Sequence, residues 1–207
     1  MKKTFGMLGF ALLAGILLSC NNTSNTNTNE PVKTGYTDTD TETIETIFNR
    51  KSVREYQDKA VEAEKIDLLM RAGMAAPSAM DRRPWEIVVL NNKEAMASLS
   101  ESLPYAKMLA QAPMAIIVCG DVTKSENNWY IDCSAVTQNI LLAAEALGLG
   151  AVWTGVYPSE ERVKMVSEAL GLPENIVPLN VIPVGYPAGD AQPKDKYNEA
   201  KVHYNKW

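Results

Sequence analysis

Apolar residues in this chain fall into short runs separated by polar punctuation, and the period within each run predicts its structure. Glu42 to Phe48 begins as a helix, after which Arg50-Lys51-Ser52-Val53-Arg54-Glu55-Tyr56 alternates like an extended segment. Val61 to Ala75 carries Ile66, Leu68, Leu69, Met70 and Ala72 with Met74 as an apolar stripe after a charged first turn and is stopped by Pro77. Trp85 to Leu90 reads as a strand closed by Asn91-Asn92, and Lys93–Leu103 and Tyr105–Gln111 as short helices broken by Pro104. Ala115 to Cys119 is a second, buried strand. Asp132 to Leu147 is the longest predicted helix, apolar almost all round and therefore central; Gly148 and Gly150 end it. Ala151–Tyr157 is a third strand. Ser159 is a candidate N-cap for a helix that runs to Leu170 and stops at Gly171, and Asn180–Val184 is a fourth strand. Helices and strands mix without a strict βαβ rhythm, so the expected class is α+β. From Pro187 onward the chain is polar and Lys-rich, with no core of its own, so it must lie against something, and a partner subunit is a candidate.

The N-terminus has a different character. Met1-Lys2-Lys3 precedes an uninterrupted apolar or glycine run of 14 residues, Phe5 to Leu18. That run is short of the ~18–20 residues a spanning helix needs and fits the core of a signal peptide. It ends in Leu17-Leu18-Ser19-Cys20, which resembles the lipobox of bacterial lipoproteins; the resemblance implies cleavage before Cys20 and lipidation of its thiol. Asn21–Glu30 is almost entirely Asn and Thr, and Thr37–Thr43 alternates Thr with acids, neither able to offset chain entropy by burial. The expected organisation is a signal peptide at 1–19, a flexible polar tether at 20–41 and one domain at 42–207. The expected location is an exported, membrane-anchored lipoprotein facing the periplasm.

Composition narrows the chemistry. The 207 residues carry 20 Lys+Arg against 25 Asp+Glu, a formal charge of −5, which argues against a nucleic-acid binder. With one histidine, His203, and 3 cysteines, the chain lacks the ligands for a multi-His or Cys₄ zinc site. A cofactor is therefore the expected carrier of any reaction. Cys119 and Cys133 are expected as buried free thiols, and no C-x-x-C pair points to thiol redox chemistry.

Three segments could bind a ligand. Arg50, Ser52 and Arg54 share one face of the extended segment, with Lys51 between them, an arrangement suited to a phosphate or another anion. Ala76-Pro77-Ser78-Ala79-Met80-Asp81-Arg82-Arg83-Pro84-Trp85 links a helix to a strand with a proline near each end and small residues inside, a loop that another molecule can approach closely. Gly148-Leu149-Gly150-Ala151-Val152-Trp153-Thr154-Gly155 places Trp153 where a dinucleotide fingerprint needs its third glycine, and it follows a helix instead of opening one.

Together these segments resemble the nitroreductase-like, FMN-dependent oxidoreductase family, over nearly all of Thr43 to Trp207. The resemblance is carried by Arg50 through Arg54, Ala76-Pro77-Ser78 through Pro84-Trp85, Asp132 through Gln138-Asn139 to Gly150, Trp153-Thr154-Gly155, and Pro193-Lys194-Asp195-Lys196. It implies a central mixed β-sheet flanked by helices, and an intertwined homodimer with an extended C-terminal tail and FMN at the interface. Arg50 and Ser52, with Lys51 beside them, would hold the phosphate and ribityl chain, and Arg54 would face the pyrimidine edge of the ring. Lys194 and Lys196 would close over the phosphate. Pro77, Ser78, Ala79 and Asp81 would come from the partner chain, and the Thr154–Gly155 backbone would face flavin N5. Where the family usually has Asn and Gln, this chain has Asp81 and Arg83, two residues apart and placed to pair.

The activity implied is hydride transfer from NAD(P)H through FMN to a nitroaromatic, quinone or similar small acceptor. No side chain need be a nucleophile or base, in keeping with the scarcity of His. Because NAD(P)H is a cytosolic metabolite, two alternatives stand beside it: a lipid-anchored flavoprotein reduced by a membrane partner, and a non-enzymatic binding lipoprotein that has lost FMN.

Overall fold

The strand Met114–Asp121 is buried at every position, which places it inside a sheet covered on both faces. In the computed structural model, which describes residues 38–207, five strands form that sheet: β1 Trp85–Leu90, β2 Met114–Asp121, β3 Gly150–Ala151, β4 Thr154–Gly155 and β5 Ile176–Gly185. The signal peptide, Cys20 and most of the expected tether lie outside the described residues. The strand order is β1-β2-β5-β3, with β4 also on β5, and the strand ladders are antiparallel. A parallel bridge from Ser52 to Ala151 adds the extended N-terminal segment beyond β3 and makes the sheet mixed.

Alternation along β2 divides the core. Met114, Ile116 and Val118 pack with Leu69, Val136, Ile140 and Leu141. Ala115, Ile117 and Cys119 pack on the other face with Met96, Leu99 and Val166. Among the described residues there are five helices, α1 Asp38–Asn49, α2 Ala63–Met74, α3 Lys93–Ser102, α4 Trp129–Ala146 and α5 Glu160–Leu170, and α2 to α5 supply these covers. Helix α4 starts a turn earlier than its apolar run predicts, and its central place is as expected, with Cys133, Val136 and Ile140 at 0% exposure. Helix α5 has its predicted ends. Ser159 Oγ accepts from Arg162 N at 3.4 Å, and Gly171 takes a left-handed φ of 62° that a residue with a Cβ disfavours.

Two strands differ from expectation, both because of proline in β5. That strand begins at Ile176, upstream of the predicted Asn180; a register shift between Val118 and Cys119 leaves Leu179, next to Pro178, as a bulge. The carbonyl of Leu179 in the bulge accepts from Val156 N at 3.0 Å and Tyr157 N at 3.1 Å. The predicted strand Ala151–Tyr157 is two short pieces, β3 and β4, in one common register against β5. The gap between them lies opposite Ile182 and Pro183, and Pro183 has no N–H to give either neighbour. Tyr105–Gln111, predicted as a short helix, contains only the 3₁₀ turn Lys107–Ala110.

Cys119 and Cys133 are free and buried, with the Cys133 thiol donating to Cys119 O at 3.2 Å. Burial pushes each thiol up to about 12, which keeps both protonated and unreactive near neutral pH. At the end of β2, Asp121 is held down at about 2, first by the Thr123 hydroxyl at 2.6 Å and then by Asn175 Nδ2, Thr123 N and Lys124. Because the folded value lies below the unfolded one, this stabilisation is complete above ~4 and disappears as pH falls towards ~2. Urea midpoints should therefore drop between about pH 5 and pH 2 in the native chain, and Asp121→Asn should flatten that fall.

Candidate functional site

The basic segment and the C-terminal tail are brought together by backbone pairing. Val53 N donates to Ala151 O at 3.1 Å, and the buried Tyr56 hydroxyl ties Val53 O at 2.8 Å to Pro183 O at 3.1 Å, so the segment is locked to the sheet. On its other side, Gln57 N donates to Tyr186 O and Ala188 N to Glu55 O, each at 2.9 Å, while Gln57 Nε2 reaches Pro187 O at 2.7 Å. The tail thus leaves β5 antiparallel to residues 55–57 and runs back past Arg50–Arg54.

Between them lies a cavity of about 200 Å³ lined by Arg50, Lys51, Ser52, Arg54, Gln192, Lys194 and Lys196. Its lining contains cations and polar groups and no carboxylate. Lys51 is committed elsewhere: its Nζ pairs with Glu145 of α4 at 2.8 Å, and both side chains are mostly buried. Among the described residues, the charged groups of Arg50, Arg54, Lys194 and Lys196 have no hydrogen-bonding or ion-pair partner. Four unpaired cations around one small space repel each other, and an anion placed there converts that repulsion into charge-assisted hydrogen bonds. The structure therefore gathers six of the residues singled out in sequence. It adds Gln192, legible in retrospect from the alternation of 192, 194 and 196 along an extended tail.

Pro77, Ser78, Ala79 and Asp81 do not line this cavity in the protomer. They lie between α2 and β1, where Met80, Asp81 and Arg83 all adopt left-handed φ of 53°, 54° and 46°. Such backbone costs roughly 1–3 kcal/mol per non-glycine residue and persists only where surrounding bonds fix it. Ser78 Oγ accepts from Arg83 N at 3.0 Å, Ala79 N donates to Asp132 Oδ1 at 3.0 Å, and Arg83 Nε pairs with Asp81 Oδ1 at 2.7 Å. The expected Asp81–Arg83 ion pair is present; the hydrogen bond lowers the Asp81 carboxyl from its ordinary value.

Thr154 and Gly155 are on β4, just after Ala151, the bridge partner of Ser52, and do not line the cavity. Thr154 is buried, its hydroxyl donating to Val181 O at 2.6 Å, whereas Gly155 is exposed and a Cβ there would meet nothing within 4 Å. Among the described residues no cluster of His, Cys, Asp and Glu could hold a metal.

The chain is thus an α+β sheet covered by helices on both faces, with a cavity lined by cations where its edge meets the C-terminal tail. Comparison with known proteins names the class: the chain belongs to the nitroreductase family, whose model matches residues 47–103 and 99–186. A solved structure from Parabacteroides distasonis, with the provisional name NADH dehydrogenase/NAD(P)H nitroreductase, is 57% identical, with a TM-score of 0.79 over 80% of this chain and 99% of that one. An FMN-dependent nitroreductase from Clostridium difficile R20291 is 31% identical, with a TM-score of 0.76 over 79% of this chain and 99% of that one. A Methanothermobacter thermautotrophicus protein with the same provisional name as the first is 46% identical over 79% of this chain and 87% of its own length.

Proposed function

We propose that this protein is an FMN-dependent oxidoreductase that takes reducing equivalents from NAD(P)H and passes them to a small acceptor such as a nitroaromatic or quinone. The observation that carries the reading is the cavity with four unpaired cations, which fits the dianionic phosphate end of FMN. Bound FMN would supply the hydride-accepting and hydride-donating chemistry. The chain's own residues bind and orient it. Arg50, Ser52, Lys194 and Lys196 hold the phosphate, and Arg54 stabilises the negative charge that reduction builds up at the pyrimidine edge. Gly155 lets the ring approach main chain, and its N–H serves as a donor that does not depend on a side chain. The relatives named for FMN and NAD(P)H support the same assignment.

The working form in this proposal is a homodimer, with Pro77, Ser78, Ala79 and Asp81 of each chain serving the flavin held mainly by the other. Support comes from apolar groups that one protomer leaves exposed: Ile131 at 54% on α4, Phe48 at 62% on α1, and Tyr204 at 82% in the tail. No helix among the described residues is long and apolar enough to cross a membrane. Attachment is proposed through lipidated Cys20, after export, on the periplasmic side. The lipobox-like Leu17-Leu18-Ser19-Cys20 also favours a second reading of the electron source, a membrane partner in place of NAD(P)H.

The purified protein should be yellow, and its visible band should bleach with NADH or NADPH under nitrogen. A folded, colourless protein indifferent to added FMN overturns the proposal; a band bleached by neither nucleotide but by a membrane reductant selects the second reading. For the anchor, cells fed labelled palmitate should label the native protein and not Cys20→Ser, and a native protein that takes up no label removes the lipid attachment.

A further inference from the structure

Helix α4 is apolar over most of its length, yet two of its polar side chains bond segments of the proposed site and a third bonds the strand paired with β4. Asp132 Oδ1 accepts from Ala79 N in the 78–83 loop at 3.0 Å. Thr137 Oγ1 accepts from Asn180 Nδ2 at 2.8 Å, and Asn180 is the β5 residue paired with Gly155. Glu145 holds Lys51 of the basic segment at 2.8 Å. Of the three, Asp132 is the costliest to retain: it is 5% exposed, and its second oxygen, Oδ2, is buried with no hydrogen-bond partner. A carboxylate kept in that state, in a helix otherwise suited to pure packing, needs a reason beyond packing.

The loop supplies it. Residues 78–83 include no glycine, yet Met80, Asp81 and Arg83 are left-handed. The bonds that Asp81 N donates to Ser78 O and Arg83 N to Ser78 Oγ, and the pair between Asp81 and Arg83, are internal and move with the loop. The bond from Ala79 N to Asp132 is the one that refers the strained turn to a helix in the core. We propose that Asp132 is a positioning residue that sets the ring face of the flavin site by fixing the Ser78–Arg83 loop on α4. This rests on the reading that the loop lies along FMN.

The full chain reconstituted with FMN gives the test, using flavin fluorescence titration, visible circular dichroism of bound FMN and hydrogen exchange at residues 78–83. Asp132→Ala should bind FMN about tenfold more weakly, the scale of one lost buried hydrogen bond, and should alter the dichroic band. Exchange in the loop should rise. Asp132→Asn, which keeps an acceptor oxygen for Ala79 N, should restore the band. Ala79→Pro removes the same bond from the loop side without touching α4, so it should reproduce the Asp132→Ala change, and the double variant should add little to either. Native protein that binds FMN while Asp132→Ala matches it in affinity and dichroism overturns the proposal and leaves the flavin reading standing. A dichroic change in Asp132→Ala that Ala79→Pro lacks overturns it too, because Asp132 would then act by another route. Native protein that takes up no FMN removes the flavin reading, and this proposal with it.

Discussion

Arg50→Ala should yield a folded protein that loses FMN on gel filtration, with affinity reduced by roughly ten- to a hundredfold, the scale of a charge-assisted hydrogen bond. Its guanidinium lines the cavity and has no side-chain partner among the described residues, so the whole of its donor capacity is available to an anion. Lys51→Ala makes the contrast. Lys51 lines the same cavity and carries the same charge, but its ammonium already bonds Glu145 at 2.8 Å, so its removal should weaken FMN binding far less. A model in which the cavity attracts anions only through summed charge would have both variants lose affinity equally. Raising salt from about 0.05 M to about 0.5 M should weaken FMN binding to the native chain, and Arg50→Ala should show a shallower salt dependence because one of the screened cations is gone. Flavin fluorescence titration of the two variants at both ionic strengths measures all of this. Equal losses in the two would remove the assignment of Arg50 as a specific phosphate ligand.

Much of this architecture is legible in the sequence because local punctuation and tertiary demand agree. Trp85–Leu90 and Glu160–Leu170 have their expected ends, since Asn92 caps the next helix through Ala95 N at 2.8 Å and Gly171 supplies a left-handed stop. Where proline enters a strand that burial nevertheless requires, the local reading fails. Pro178 hides the first part of β5, and Pro183 splits the strand opposite. The cation cavity is half legible: alternation puts Arg50, Ser52 and Arg54 on one face, but the return of the tail depends on long-range pairing of 55–57 with 186–188, which no local pattern announces. The family resemblance pointed to Lys194 and Lys196 for that reason, and no periodicity did. The left-handed turn is illegible for another reason. Met80, Asp81 and Arg83 have no intrinsic preference strong enough to reveal it, and the group that fixes it, Asp132, is 53 positions from Ala79. An acid in the first turn of an otherwise apolar helix is the available sign.

Gly150→Ala should damage fold and cofactor site together. A Cβ at Gly150 would lie 2.6 Å from both Cβ and Cγ1 of Val53, which is 2% exposed and sits between Ser52 and Arg54. Neither side can yield freely, because Val53 is bonded through its N–H to Ala151 O and through its carbonyl to the Tyr56 hydroxyl. Overpacking of this kind costs about 1–3 kcal/mol, and relief must come by moving the basic segment away from β3, which takes Ser52 and Arg54 out of register with the tail. Lower urea midpoints and weaker FMN binding should therefore appear in the same variant. Gly155→Ala separates the two effects. Its Cβ meets nothing within 4 Å in the protomer, so stability should hold, yet the methyl group would stand where the flavin ring is proposed to approach the backbone. Reduced FMN affinity at an unaltered urea midpoint is the expected result. If Gly155→Ala binds FMN as the native chain does, the ring does not approach β4 there, even if the phosphate is held as proposed.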